Sequence, residues 1–433
     1  MTFGLTAAVA WLSLASPNPD LALVNARIEI GDGTRIERGF VTIREGKIVQ
    51  VGPGAFTDTA REVVDLRGLT IYPGFIDGAT TDALRLPALP QGTPRPNTDT
   101  APATMMDSVP RLVRPELRAE EHLEATESTL KERQRTGFLF GHVVPSSGLF
   151  RGSTAVIRYG TGDLKEQVVR AGLGQSLAPT FAAGGPGGGG GGGQGGAGYP
   201  GSLLGAYATI RQTLIDAEAY QGTSNGEGVN ATLAALRPVL SGEVPVIFRT
   251  NSVQDFVRAQ NLADEFGLRV IPIGARDAAR ALTHVKKMPP VLINLAFGTE
   301  PDLSDKALAD QEANFIPAGV IRARHEAWLE RAMTPIFLAK AGVPFGFTTE
   351  STTPSEVRKN LKRLVDWGLD PRDVVRALTS APAEILGIAD LVGTVRPGLF
   401  ADFVIVDGNI WNPDARISGI VLQGAYQAFE EEK

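Results

Sequence analysis

The sequence predicts an α/β fold: a (β/α)8 TIM-like barrel joined to a small β-sandwich domain formed from both chain termini. Three observations carry that prediction. Short runs rich in valine, isoleucine and threonine, separated by tight turns, fill the stretch from Leu21 to Thr70 (LALVNARIEI, GDGT, GFVTIREG, KIVQVGPG). The same texture returns near the other end, in LVGTVRPGLFADFVIVDG and ISGIVLQGAYQAF. Between them, apolar runs of buried-strand length alternate with segments of helical period, which means a parallel sheet. At this length a closed barrel is more economical than an open doubly wound sheet. Residues 19–70 and 390–433 are therefore expected to form the composite β-sandwich, and residues 71–389 the barrel.

Taken in order, the chain opens with MTFGLTAAVAWLSLAS, an apolar run shorter than the ~20 residues that span a bilayer. No integral membrane segment is expected. Residues 1–18 read as a signal peptide or leader, with Ser13 and Ala15 small enough for a cleavage site but no Lys or Arg ahead of them. Export, periplasmic or secreted, is expected on that reading, and a cytoplasmic location otherwise. Buried strands are predicted at IYPGFID (71–77), GFLFGHVV (137–144), VPVIF (244–248), RVIPI (269–273), PVLINLAF (290–297) and VPFGFT (343–348). Helices are predicted over Pro115–Thr136, started by Pro115 and stopped by Gly137, and over Val253–Phe266, Ala275–Lys287, Ile316–Ala341, Ser355–Gly368 and Pro371–Leu386.

Two segments interrupt the alternation. A loop over 82–114 carries repeated prolines directly after the first barrel strand, and loops of that length are functional or disordered. The segment 184–198 holds twelve glycines in fifteen residues. It lacks the GxxxxGK[ST] spacing of a phosphate loop and reads as a flexible surface loop.

Composition narrows the chemistry. The chain has 433 residues, 42 basic against 48 acidic side chains, a net charge of −6, and 43% hydrophobic residues, the balance of an ordinary globular protein. A pI near 5.5 speaks against a nucleic-acid-binding face, so no nucleic-acid partner is expected. The absence of cysteine excludes disulfides, thiolate nucleophiles, iron–sulfur clusters and cysteine-bound zinc. Four histidines limit any imidazole-built centre, and no two of them have metal-ligand spacing. His122 and His284 read as solvated helix faces, and His325 as a packing histidine near Trp328. His142 stands late in the second barrel strand, where side chains approach the active-site mouth. It is either a site residue or a satisfied interior histidine. The PSSGLFRGS loop brings Ser146, Ser147 and Arg151 to the same mouth. Ser147 and Arg151 are candidate ligand contacts, Arg151 for an anionic group, set against plain turn chemistry and a structural ion pair.

The text LVNARIEIGDGTRIERGFVTIREGKIVQVG followed by VVDLRGLTIYPGFID resembles the N-terminal signature of the amidohydrolase superfamily. ALTSAPAEILGI followed by GTVRPGLFADFVIVDG is similar to that family's closing helix and its return to the β-sandwich, with Asp402 in the customary Ala-Asp pair. The stretch VPVIFRTNSVQDFVRAQNLADEFGLRVIPIGARDAARAL is most similar to the imidazolonepropionase-like branch. The resemblance implies hydrolysis of non-peptide carbon–nitrogen bonds of the cyclic amide type, by a hydroxide held on one or two divalent metals such as zinc.

The family's metal-ligand positions fall here on Ala79, Thr81, Arg249, Ile273 and Glu350. An arginine repels a divalent ion and competes for the same carboxylate, so no metal cofactor is expected. Arg249 is instead expected to pair with Glu350 across the barrel mouth in place of the metal. The implied protein is an impaired or non-catalytic amidohydrolase homologue that keeps a small-molecule pocket at the mouth. It is expected to form a homo-oligomer or to pair with a catalytic amidohydrolase. The alternative is an atypical, metal-independent hydrolase with Glu350, Asp77 or His142 as general base.

Overall fold

The computed structural model describes residues 18–87, 112–179, 202–220, 230–350, 352–412 and 414–429. The expected leader apart from Asn18, most of the proline-rich loop and the whole glycine run lie outside the described residues. Among the described residues no helix is long and apolar enough to cross a membrane.

Strands from both ends of the chain share one sheet. Leu21–Glu29, Arg35–Arg44 and Lys47–Pro53 form an antiparallel meander, and Glu62–Asp65 and Leu69–Pro73 each run parallel to the first of them. Leu69–Pro73 then pairs antiparallel with Phe403–Asp407, which continues into Arg416–Leu422 and Ala425–Ala428. Side chains alternate between the two faces of such strands. Phe403, Ile405 and Val421 join Leu21, Leu23, Val41 and Ile43 in the sheet's own core. Their neighbours Val404, Val406, Ile420 and Leu422 pack into the core of the rest of the molecule. One period-two pattern thus serves two cores and explains the unbroken apolar run FVIV.

The second sheet has eight strands in sequence order: β1 (Phe75–Thr80), β2 (Phe138–Val143), β3 (Phe150–Arg158), β4 (Val168–Leu177), β5 (Val246–Thr250), β6 (Val270–Gly274), β7 (Val291–Asn294) and β8 (Phe345–Thr348). Here the predicted (β/α)8 barrel needs correcting twice. First, β3 runs antiparallel to both β2 and β4. No helix separates β2 from β3, and only the 3-10 turn Leu164–Gln167 separates β3 from β4. Antiparallel neighbours need no crossover helix, so the strand–helix alternation lapses there. Second, no ladder of backbone hydrogen bonds joins β1 to β8 among the described residues. These edge strands nevertheless lie against each other: a Cβ on Gly78 of β1 would come within 2.9 Å of the Phe347 carbonyl of β8.

The helices follow local signals closely where caps exist. Helix Val253–Phe266 has a Ser252/Asp255 capping box and ends at Gly267 with φ 65°. The predicted Ile316–Ala341 helix is two helices, Ala318–Ala332 and Thr334–Lys340, and Pro371–Leu386 divides into Pro371–Leu378 and Ser380–Ile385. Ser355–Gly368 is observed as Pro354–Asp366, and Ala275–Lys287 shrinks to Leu282–Val285.

The predicted helix Pro115–Thr136 is helical only from Glu127, after a short 3-10 turn at Ala119–Glu121. Its first part is a turn at Pro115–Glu116 with isolated bridges on either side, Val113 to Phe150 and Arg118 to Ser153 along β3. The edge contact with a strand outweighs the helical spacing.

Candidate functional site

The strands other than β3 end on one side of the second sheet, and in α/β folds with parallel strands chemistry gathers at their C-terminal ends, here called the mouth. Arg249 sits next to last in β5, and Glu350 lies two residues past β8. Their side chains meet end to end: Arg249 Nη1 donates to Glu350 Oε2 at 2.6 Å and Nη2 donates to Oε1 at 2.5 Å. Both groups are largely shielded, with side-chain exposures of 23% and 13%. A bidentate guanidinium–carboxylate pair in such surroundings is strong and fixed in orientation. Asn294 at the end of β7 holds the pair's backbone by donating to the Glu350 carbonyl at 3.0 Å.

A second cluster closes the seam between β1 and β8. Asp77 is fully buried and accepts hydrogen bonds from the backbone N–H of Ala79 (3.2 Å) and of Thr349 (3.0 Å). The Thr349 hydroxyl also donates to it, and Arg133 Nη1 donates to its other oxygen at 3.2 Å. Arg133 reaches in from helix Glu127–Arg135, donating as well to the Thr349 hydroxyl at 2.6 Å and to Asp82. Burial pushes the Asp77 carboxyl up to about 6, against the pull of Arg133 and of the Thr349 donors.

His142 is a satisfied interior histidine. Its Nδ1 donates to the Gly78 carbonyl of β1 at 2.7 Å, which leaves Nε2 to accept from the Thr154 hydroxyl of β3 at 2.8 Å. The ring ties three neighbouring strands together, and burial pulls its pKa down to about 4. Neither nitrogen is left to move a proton for a ligand.

Arg151 belongs to β3 and not to the preceding loop, and it is 4% exposed. Its Nε donates to the Gly148 carbonyl at 2.9 Å. Ser146 and Ser147 are exposed in the turn before it. Of the remaining family ligand positions, Ala79 and Ile273 are buried apolar side chains and Thr81 is exposed.

A metal centre fits these residues poorly. Three of the five family positions carry no metal-binding donor or only a hydroxyl, a fourth is a cation, and Glu350 has both oxygens engaged by that cation. Among the described residues no group of three or more His, Asp or Glu side chains converges on a point that could hold an ion.

Arg133, Thr349 and Asn294 are site residues that sequence reasoning misses. Arg133 sits in the charged run ESTLKERQR and meets partners as far as 216 residues away in sequence. A cavity of about 890 Å³ opens on the opposite face, lined by Val244, Arg269, Pro290 and Phe345 at the strand starts and by Arg376 of helix Pro371–Leu378. It contains none of the predicted site residues, and that face of such folds serves stability.

Comparison with known proteins agrees with this architecture. Residues 302–429 match the amidohydrolase family. An adenine deaminase of Methanothermobacter thermautotrophicus is 37% identical over 75 residues, a stretch that spans 16% of this chain and only 13% of that enzyme. An amidohydrolase from Thermotoga maritima superposes with a TM-score of 0.71 at 19% identity, covering 94% of this chain and 99% of its own. A Xaa-Pro dipeptidase with bound methionine gives 0.55 at 14% identity, covering 94% and 100%. The match over residues 302–429 is thus to amidohydrolase-family sequence, and the solved structures share the fold of this chain.

Proposed function

We propose that the chain is an amidohydrolase homologue of the imidazolonepropionase-like branch whose metal site has been replaced by an ion pair, leaving a small-molecule binding mouth without the family's metal-dependent hydrolysis. The observation that carries this reading is the doubly engaged Glu350: the carboxylate that would end the family's ligand set spends both oxygens on Arg249. The fixed guanidinium places positive charge where the family places a cation. It can orient an electron-rich group, but it cannot lower the pKa of a bound water as a divalent metal does. Pairing with a catalytic amidohydrolase, or with a second copy of this chain, would give such a homologue a role. An exported location remains part of the proposal through its N-terminal apolar segment.

The test is elemental analysis of protein purified without chelators, with a screen of cyclic amides and N-acyl compounds run in parallel. The expected result is far less than one zinc, iron or manganese per chain and no turnover that Glu350→Gln abolishes. Stoichiometric metal would overturn the proposal.

A second reading, a metal-independent hydrolase, is favoured by Asp77, whose pKa of about 6 suits a general base near neutrality. The deaminase relative acts, by its name, on adenine, so purines would join the cyclic amides in that screen. The geometry weighs against this reading. The Asp77 carboxylate is fully buried and ringed by four donors.

A further inference from the structure

Arg151 is the one candidate site side chain whose charge the described residues leave unanswered. Its guanidinium is almost wholly buried, yet its hydrogen bond within the described residues is the one from Nε to the Gly148 carbonyl, and no carboxylate there lies within ion-pair distance. The two carboxylates near the seam, Asp77 and Asp82, are both spent on Arg133, and Glu350 is spent on Arg249. A buried cation without a partner is costly, so its retention calls for an anion that supplies the missing charge.

The burial is built into the backbone. Gly148 and Gly152 flank Arg151 with φ of 102° and 109°, and a Cβ on them would meet the carbonyls of Leu112 at 2.7 Å and Leu117 at 2.4 Å. Glycine at both positions lets the segment around Val113 and Arg118 lie directly along β3 on either side of Arg151. The sheet register sets where Arg151 stands along the strands. Phe150 is opposite Leu177 on β4, and Leu177 is opposite Phe248 on β5. Because β3 runs antiparallel to β4 and β5, Arg151 steps inward from that level and Arg249 steps toward the mouth, one strand apart, near enough for the Arg249 and Glu350 charges to act on Arg151. Burial, then the nearby Arg249 charge, pulls Arg151 down to about 10 while Glu350 pulls it back, so it stays charged at neutral pH.

We propose that Arg151 is the anion-binding residue of the mouth and that its ligand is a small organic carboxylate, held end-on by the two Nη groups beside the Arg249–Glu350 pair. The pair itself sets the precedent for that geometry, a carboxylate gripped through both Nη atoms. Ser147, exposed in the adjoining turn, is placed to contact the rest of the ligand. The proposal rests on the metal-free reading of the mouth.

Calorimetric titration of the full chain with N-acetylglycine, succinate and inorganic phosphate, with N-acetylglycinamide as the uncharged control, tests it. At least one of the two carboxylates is expected to bind, the amide is not, and Arg151→Gln is expected to weaken carboxylate binding at least tenfold. Thermal melting without ligand guards against a folding artefact: Arg151→Gln should melt no lower than the natural protein, because it removes a buried charge that no carboxylate among the described residues pairs. Arg151→Lys should recover part of the binding. Binding of phosphate alone, binding of neither carboxylate, equal binding by Arg151→Gln, or a large loss of melting temperature with binding intact would each overturn the assignment. Metal found in the same preparation would instead sink the metal-free reading, so the two failures are distinguishable.

Discussion

Asp77 and His142 sit on adjacent strands, both fully buried, and titrate in opposite senses. Burial raises the Asp77 carboxyl to about 6 from the ordinary 3.8, so the stability it contributes is fully present below pH 3.8 and is lost as pH rises through 6. Burial lowers His142 to about 4 from 6.5, so its contribution is present above pH 6.5 and is lost as pH falls through 4. Each shift is worth roughly 3 kcal/mol, and in the natural protein the two nearly cancel. Urea unfolding at pH 4, 5 and 6 separates them. Relative to the natural protein, Asp77→Asn should gain stability as pH rises across that window and His142→Gln should lose it. Slopes of the same sign in both variants would refute the account. At this scale the sequence was partly legible. Arg249 and Glu350 could be singled out because strand ends and a family signature locate them, whereas Arg133 and Thr349 carry no local mark. Their roles exist only once β1, β8 and a helix far off in sequence come together.

Among the elements, β3 is the departure with the most consequences. PSSGLFRGS reads as turn chemistry because Gly148 and Gly152 punctuate it, yet Gly152 serves close packing inside a buried strand and Gly148 does so just ahead of it. Gly152→Ala should therefore cost at least ~2 kcal/mol, since alanine is strained at φ 109° and its methyl meets the Leu117 carbonyl. Gly242→Ala is the control, having φ 74° but nothing within 4 Å, and should cost about 1 kcal/mol through backbone strain alone. Equal losses in denaturant midpoint would mean that the 112–118 segment gives way freely. Where an element's instructions were local, the sequence was enough. Ser252, Asp255 and Gly267 mark the ends of their helix. Where a neighbouring strand competed, as at Val113 and Arg118, periodicity misled.

For the whole molecule, the two sheets are locked by a buried ion pair. Arg158 at the end of β3 donates to Asp402 at 3.0 Å, and Asp402 also accepts from the Gln423 backbone N–H at 2.8 Å. The Arg158 guanidinium lies 4.8 Å from the Phe400 ring centroid, so its charge is answered from two directions. Asp402→Ala should cost about 3–5 kcal/mol by stranding that cation, and Arg158→Met with Asp402→Leu should cost less than the single change. A double variant worse than Asp402→Ala would mean that the pair does more than balance charge. The shared sheet was legible from the matching texture of the two chain ends. The inverted strand and the unjoined edge were not, because strand direction and edge pairing are decided by contacts that no local pattern encodes.

The inverted strand also changes which part of a strand can evolve a ligand contact. Strands running outward offer the mouth only their final residues, and all but β2 and β8 are followed by a long connection that must find its way back to the next strand. β3 travels inward, so its opening residues face the mouth directly after a turn that has only to reverse direction. A change in that turn would alter what the mouth touches without rethreading the chain. This wall is where new ligand preferences could arise with the least disturbance to the frame.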